Sequence, residues 1–390
     1  MNGIEMGYTS PWIGHPMINT PYTIGITGNI ATGKSVIRQM LVNAGVFGID
    51  ADVLANRMIY PGGPAYQPVI DAFGPEIQSK DHSISHKKLG EIVFSDPDQL
   101  RLLESLTHPP VIQAILKRRE IAQRPIVAIE AIKLLESGLD DCCDSIWVSH
   151  ASFDHQVDRL MKTRGLSERE AITRIAAQPP QFEKLSRANI IINTETSFKD
   201  TWIRTQTALN DTIQLTNHAV NLHLNNSKDW LVKSINQIPA LQVESAWEEL
   251  AEEDPITLYT HLGMNTVSPI LKNNHIQAFV IWEEWNFTGT LKKVFPSHFL
   301  NKEPDLVFEV FENWSRAHQT EILLAPDELT QVLNRKHSQH GFEPMQMDQI
   351  TYPAWRIAAQ KATSQDENAV WMKKLAQPFE MQANHFSTVK

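Results

Sequence analysis

Cysteine is nearly absent from this chain: of 390 residues only Cys142 and Cys143 carry thiols, and they are neighbours. Adjacent cysteines cannot tie distant segments together, so a disulfide framework is excluded, and free thiols suit a reducing compartment. Long apolar runs are missing too. No stretch approaches the roughly 18 residues of a membrane-spanning helix, and the first twenty residues hold no Lys or Arg with which a secretion signal would begin. A cytoplasmic protein without a membrane partner is therefore expected, and the glycosylation-like triplet Asn286-Phe287-Thr288 reads as chance. Positive charge is scarce: 35 Lys and Arg stand against 45 Asp and Glu, a formal net charge of -10. Duplex binding rests on neutralising phosphates with Lys and Arg, so no nucleic-acid partner is expected. Repeats and low-complexity tracts are lacking as well.

What remains is an ordinary globular composition, 42% hydrophobic and 21% charged, on a chain long enough for two domains. Its most informative stretch runs Gly28-Asn29-Ile30-Ala31-Thr32-Gly33-Lys34-Ser35, which satisfies G-x-x-x-x-G-K-[ST] in full. The context agrees with the motif. "YTIGIT" before it has the β-branched content of a buried strand, and "KSVIRQMLVN" after it reads as a helix ending near Gly45. In a strand, glycine-rich turn, helix arrangement, successive N–H groups curl around phosphate oxygens and the helix dipole favours their charge. Lys34 is then expected on the β- and γ-phosphates of ATP, with the Ser35 hydroxyl on Mg²⁺.

Phosphoryl transfer also needs a carboxylate at the acceptor hydroxyl, an anionic shell for the metal and a basic cover that excludes water. "GVFGID" reads as a second strand delivering Asp50 and Asp52 to the carboxyl edge where open α/β sheets bind ligands. For Asp50, capping of the next helix competes with a catalytic role. "RPIVAIEAI" reads as a buried strand carrying Glu130. A carboxylate there requires a partner, either an arginine or the magnesium shell. Between His155 and Arg187 seven Lys or Arg face four acids, a local reversal of sign on an acidic chain. That stretch reads as two helices joined at Gly165-Leu166, with Ser167 and Glu170 forming a capping box, and such a pair would make a lid. The guanine-reading Asn-Lys-x-Asp of GTPases has no counterpart, since Asn301-Lys302-Glu303 is followed by Pro304.

These residues, with "GIDADVLANRMIYPGGPAYQPVIDAFGPEI", "LGEIVFSDP", "LLESLTHPPV", "QVDRLMKTRGLSEREAITRIAAQ" and "ANIIIN" in order, resemble dephospho-coenzyme A kinase over residues 22 to about 210. The resemblance implies an α/β P-loop kinase with a parallel sheet and helical lid, which moves the ATP γ-phosphate to the ribose 3′-hydroxyl of dephospho-coenzyme A. It implies that residues 28 to 36 hold ATP, Val36 included, with Arg164 in the lid. Asp52 would orient the acceptor hydroxyl, Arg159 would face the transferring phosphate, His108 and Glu136 would line the acceptor pocket, and Ser35 with Glu130 would serve the metal. Where the family commonly has Gly-Gly-Ile-Gly-Ser-Gly-Lys-Ser-Thr, this chain has Ala31 for the third Gly and Val36 for the Thr. Its Pro-Leu-Leu-x-Glu becomes Ile132-Lys133-Leu134-Leu135-Glu136, and Thr163 stands at a lid position often held by Arg. Another P-loop kinase for a small alcohol or nucleoside, or a nucleotide-binding scaffold without turnover, is the alternative.

The expected boundaries are an extension over 1–21, the kinase-like domain over 22–217, a connector over 218–237, a smaller α+β domain over 238–375 and a tail over 376–390. The element order of that second domain looks weakly like the later half of an acyl-CoA N-acetyltransferase. The pyrophosphate loop of such enzymes is replaced by "NKEPD", so no acetyl transfer is expected, and packing, oligomerisation or regulation is the expected role. Trp282, Trp285 and Trp314 read as core or interface.

Overall fold

The computed structural model describes residues 21–122, 124–216, 223–225, 230–325, 340–363 and 369–376. The first half is β1 (Tyr22–Thr27), α1 (Lys34–Asn43), β2 (Phe47–Asp50), α2 (Ala51–Met58), α3 (Tyr66–Phe73), α4 (His86–Val93), α5 (Pro97–Ile121), β3 (Ile126–Glu130), β4 (Ser145–His150), α6 (Phe153–Arg164), α7 (Glu168–Ala176), α8 (Gln181–Leu185), β5 (Ile190–Asn193) and α9 (Phe198–Thr216). Its five strands are parallel in the order β2-β3-β1-β4-β5. Strands covered on both faces carry continuous apolar runs rather than alternation, and β3 "IVAIE" is buried along its whole length. All five point their carboxyl ends at one edge, which delivers the loop after β1, Asp50, Glu130 and the segment after β5 to one cleft. The capping box at Ser167 and Glu170 and the break at Gly165, in the left-handed region at φ 62°, fold the lid helices as the sequence predicts.

The second half is β6 (His223–Asn225), β7 (Trp230–Lys233), α10 (Ala240–Ala251), α11 (Pro255–Met264), β8 (Thr266–Lys272), β9 (His275–Trp285), β10 (Thr288–Phe295), α12 (Ser297–Lys302), α13 (Pro304–Ala317), β11 (Ile322–Ala325), β12 (Glu343–Gln346), α14 (Pro353–Ala362) and β13 (Ala369–Lys374). Its sheet runs β12-β13-β11-β10-β9-β8-β7-β6. All neighbours are antiparallel except β10 and β11, which are parallel across the α13 crossover. Two of these strands, β6 and β7, fall inside the span expected to be a connector. "WLVK" is a short apolar run set among Asn, Ser and Lys, and its pairing with β6 and β8 makes it a strand. Most of the stretch "DELTQVLNRKHSQHG" and nearly all of both terminal extensions lie outside the described residues.

The two halves share their cores. Phe287, in the β9–β10 turn, packs with Phe47, Leu54 and Ile115 of the first half, while Met40 and Trp202 pack with Trp247, Leu258 and Phe279 of the second. Asn43 fixes one seam: its Nδ2 donates to the carbonyls of Leu262 and Asn265, both at 2.8 Å, and its Oδ1 accepts from the Val267 N–H at 2.8 Å. At another, Arg57 is fully buried, pairs with Glu321 and donates to the Tyr352 hydroxyl at 2.6 Å. Asn286 is 9% exposed and Phe287 7%, so the glycosylation triplet is interior, as its chance reading requires. Trp282 and Trp314 are core residues. Among the described residues no helix is long and apolar enough to cross a membrane.

Candidate active site

The loop between β1 and α1 is shaped by what its glycines avoid. A Cβ on Gly28 would lie 2.3 Å from Ser149 Oγ, and Gly33 sits at φ 93° with a would-be Cβ 3.0 Å from Thr194. Thr32 Oγ1 donates to the Asn29 carbonyl at 2.7 Å and meets Ser149 Oγ at 2.6 Å. Asn29 Nδ2 donates to the Pro179 carbonyl at 2.9 Å, and the Ile30 N–H donates to Gln178 Oε1 at 2.7 Å. The far end of the lid is thereby fastened to the loop. Ala31, at the position where Gly is common, has φ 60°, a conformation that costs a side-chain-bearing residue about 1–2 kcal/mol.

Lys34 is 7% exposed, and its Nζ donates to the Asn29 carbonyl at 3.1 Å. Burial lowers its pKa, against the pull of Glu130 and Asp52, so a charged lysine here gains from an anionic ligand. Glu130 is 3% exposed at the end of β3. Its Oε1 accepts from Ser35 Oγ at 2.5 Å and its Oε2 from Arg38 Nε at 2.7 Å, so of the two partners weighed for it the arginine is present. Arg38 also lies 4.0 Å from Asp50. Burial opposes its charge, but Glu130 and Asp50 outweigh burial and hold its pKa above the ordinary value.

Asp50 takes the capping role: it is the N-cap of α2 and accepts from the Val53 N–H at 2.9 Å. Burial, then the neighbouring Glu130, push its carboxyl up to about 6. Asp52, in the first turn of α2, keeps an exposed side chain in the cleft wall and accepts weakly from the Ile132 N–H at 3.4 Å. Its pKa is raised by the same two causes, burial and Glu130. Asp50, Asp52 and Glu130 all line one cleft. Among the described residues there is no cluster of three or more His, Cys, Asp or Glu side chains that would cage one. That donor set fits magnesium, which keeps several waters and takes few protein ligands beside substrate phosphates.

From the lid, Arg159 Nη1 donates to the Ala31 carbonyl at 3.0 Å and to Thr194 Oγ1 at 2.9 Å, while Nη2 donates to the Thr194 carbonyl. Its guanidinium thus joins the loop to the segment after β5. A cleft of about 580 Å³ brings together Ile30, Ala31, Gly33, Lys34, Ser35, Val36, Asp52, Glu130, Arg159 and Arg164. Gly28, Asn29 and Thr32 are not in its lining. Neither is His108, half-buried on α5, nor Glu136, whose carboxylate pairs with Lys184 Nζ at 2.7 Å. Asn56, Thr194, Phe198 and Met264 line it without having been singled out in the sequence. Arg38, which orients Glu130, was also missed, although an arginine three residues after Ser35 shares its helix face.

Residues 22–200 match the sequence profile of the family Dephospho-CoA kinase. The Dephospho-CoA kinase of Carboxydothermus hydrogenoformans is 40% identical over 181 residues, 46% of this chain and 88% of that protein. That of Geobacter metallireducens is 40% identical over 181 residues, 46% of this chain and 90% of the relative. Among solved structures, the dephospho-CoA kinase from Campylobacter jejuni is 25% identical, covering 49% of this chain and 97% of that one at a TM-score of 0.39. The profile stops at residue 200 and leaves the second half outside it, so the acetyltransferase likeness there gains no support. With relatives 40% identical and matched over nearly their full length, the chain belongs to the dephospho-CoA kinase family.

Proposed function

We propose that the chain transfers the γ-phosphate of ATP to the ribose 3′-hydroxyl of dephospho-CoA, the step that yields coenzyme A. The observation that carries this reading is the meeting of Lys34, Asp52, Glu130 and Arg164 around one cleft beyond the phosphate-binding loop. The N–H groups of residues 28 to 36 and the N-terminus of α1 receive the phosphates, and Lys34 leaves the Asn29 carbonyl for them. Asp52, with a raised pKa and access to water, aligns the 3′-hydroxyl and accepts its proton. Arg159 and Arg164 close the lid side and offset charge on the transferring group. Ser35 Oγ would hold magnesium, with Glu130 Oε1 reaching it through water; the ion supplies charge neutralisation at the phosphates. His108 and Glu136 belong to this proposal only as outer residues of the acceptor region, Glu136 by anchoring Lys184, which also donates to the Ile132 carbonyl at 2.7 Å. Residues 22–216 carry the chemistry, and the second half is a buttress for it rather than a second transferase.

The test is ADP release from ATP and magnesium with dephospho-CoA as acceptor, in the full chain and in Asp52→Asn. The expected outcome is acceptor-dependent turnover that falls by about 10²–10⁴ in kcat in the variant. Turnover with a nucleoside but none with dephospho-CoA, or an Asp52→Asn variant as fast as the parent, overturns the assignment.

A further inference from the structure

The cleft has a direction set by the sheet. Strand order β2-β3-β1-β4-β5 places Asp50 and Asp52 at one end, the phosphate-binding loop in the middle and the segment after β5 at the other. A γ-phosphate must lie between Lys34 and the acceptor carboxylate, so the remainder of the nucleotide extends away from Asp52, past Gly33, towards Thr194 and Phe198. That end is completed by a residue from outside the matched family segment: Met264, the last residue of α11.

Met264 is 62% exposed and contributes no core packing to its own half. Its position is nonetheless fixed. Asn43 holds the backbone on either side of it through the Leu262 and Asn265 carbonyls, and Gln39 Nε2 donates to Thr266 Oγ1 at 3.2 Å. Gly263 brings α11 against the cleft wall: a Cβ there would fall 2.6 Å from the Phe198 ring and 3.2 Å from Val36 Cγ1. Val36, Phe198 and Met264 all line this end of the cleft, and the close approach of Gly263 to Phe198 and Val36 sets them side by side as an apolar patch. A flat aromatic base is the part of a nucleotide that such a patch accepts, and a thioether is a favourable neighbour for an aromatic ring.

We infer that Met264 is a nucleotide-positioning residue supplied by the second half, packing against the base of ATP. This rests on the reading above only for ATP being the phosphoryl donor. The test is equilibrium binding of ATP and, separately, of inorganic tripolyphosphate to the full chain and to Met264→Ala and Met264→Leu, with steady-state KM for both substrates. Met264→Ala is expected to weaken ATP roughly three- to tenfold, to leave tripolyphosphate and the KM for dephospho-CoA unchanged, and to unfold at the parent temperature. Met264→Leu, which restores apolar volume, is expected to recover most of the loss. Unchanged ATP binding in Met264→Ala, or equal weakening of ATP and tripolyphosphate, overturns the inference. Because binding is read without turnover, failure of the acceptor assignment leaves this result interpretable.

Discussion

Glu321→Ala tests whether the two halves are one cooperative body. Glu321 is 3% exposed; it pairs with the fully buried Arg57 of α2 and accepts from Trp355 Nε1 at 2.7 Å. Arg57 is further sandwiched, its guanidinium carbon 4.9 Å from the Phe287 ring centre and 4.8 Å from that of Tyr352. Rings and a hydroxyl do not replace the carboxylate. Removing one partner of a buried ion pair costs about 3–5 kcal/mol, because the remaining charge stays desolvated. At about 2 °C per kcal/mol for a body of this size, Tm should fall by about 6–10 °C. Tryptophan fluorescence and residual kinase activity after heating should report the same lowered transition. A reciprocal variant separates charge from packing: Arg57→Met combined with Glu321→Leu fills the space without charge and should regain most of the loss. A Tm shift below about 2 °C, or kinase activity surviving to the parent temperature while the fluorescence transition drops, would refute the reasoning.

Two further outcomes follow from the cleft. Asp50 titrates near 6 in the fold, above its ordinary value, so the native state holds an extra proton between roughly pH 4 and 6. Its contribution therefore favours folding at low pH and is lost as pH rises through 6. Asp50→Asn retains an N-cap acceptor for Val53 and should be more stable than the parent at pH 8 by about 3 kcal/mol, with little difference at pH 4. Denaturant titrations at both values check this, and a variant less stable at pH 8 would show that the Arg38 contact outweighs the burial of charge. Ala31→Gly relieves a left-handed alanine at φ 60° but adds backbone freedom to the unfolded chain. The net gain should lie between zero and about 1 kcal/mol, and a loss of stability would show that the Ala31 methyl packs usefully against the lid.

The legible parts of the site were those written locally. The loop, the α2 cap at Asp50 and the Ser167–Glu170 capping box each lie within a few residues and follow from hydrogen-bond reach alone. Glu130 was legible as a buried carboxylate in need of partners, but the choice between arginine and metal shell was not, because Ser35 and Arg38 meet it only after β1 and β3 pair in parallel. His108 and Glu136 followed from motif correspondence, and neither lines the cleft. Arg57 drew no attention in the sequence. Its burial depends on Glu321 and Tyr352, more than 260 residues away, and no local pattern encodes such a contact. Strand β7 was missed for the same reason.

The second half grips the kinase at both ends of the cleft. Through Arg57 it holds α2, whose first turn carries Asp52. Through Asn43 and Gly263 it holds the flank of α1 and the start of α9, beside the far end of the nucleotide site. It also covers β2, the edge strand of the parallel sheet, where His318 stacks on Phe47 with ring centres 6.1 Å apart. An uncovered edge strand invites pairing with another chain, so covering β2 protects the sheet while fixing the strand that delivers Asp50. Both grips lead into one eight-stranded sheet, at Val267 of β8 on one side and at Glu321, next to β11, on the other. Because one sheet joins the two seams, weakening the one at Arg57 should alter acceptor alignment and nucleotide affinity in the same variant.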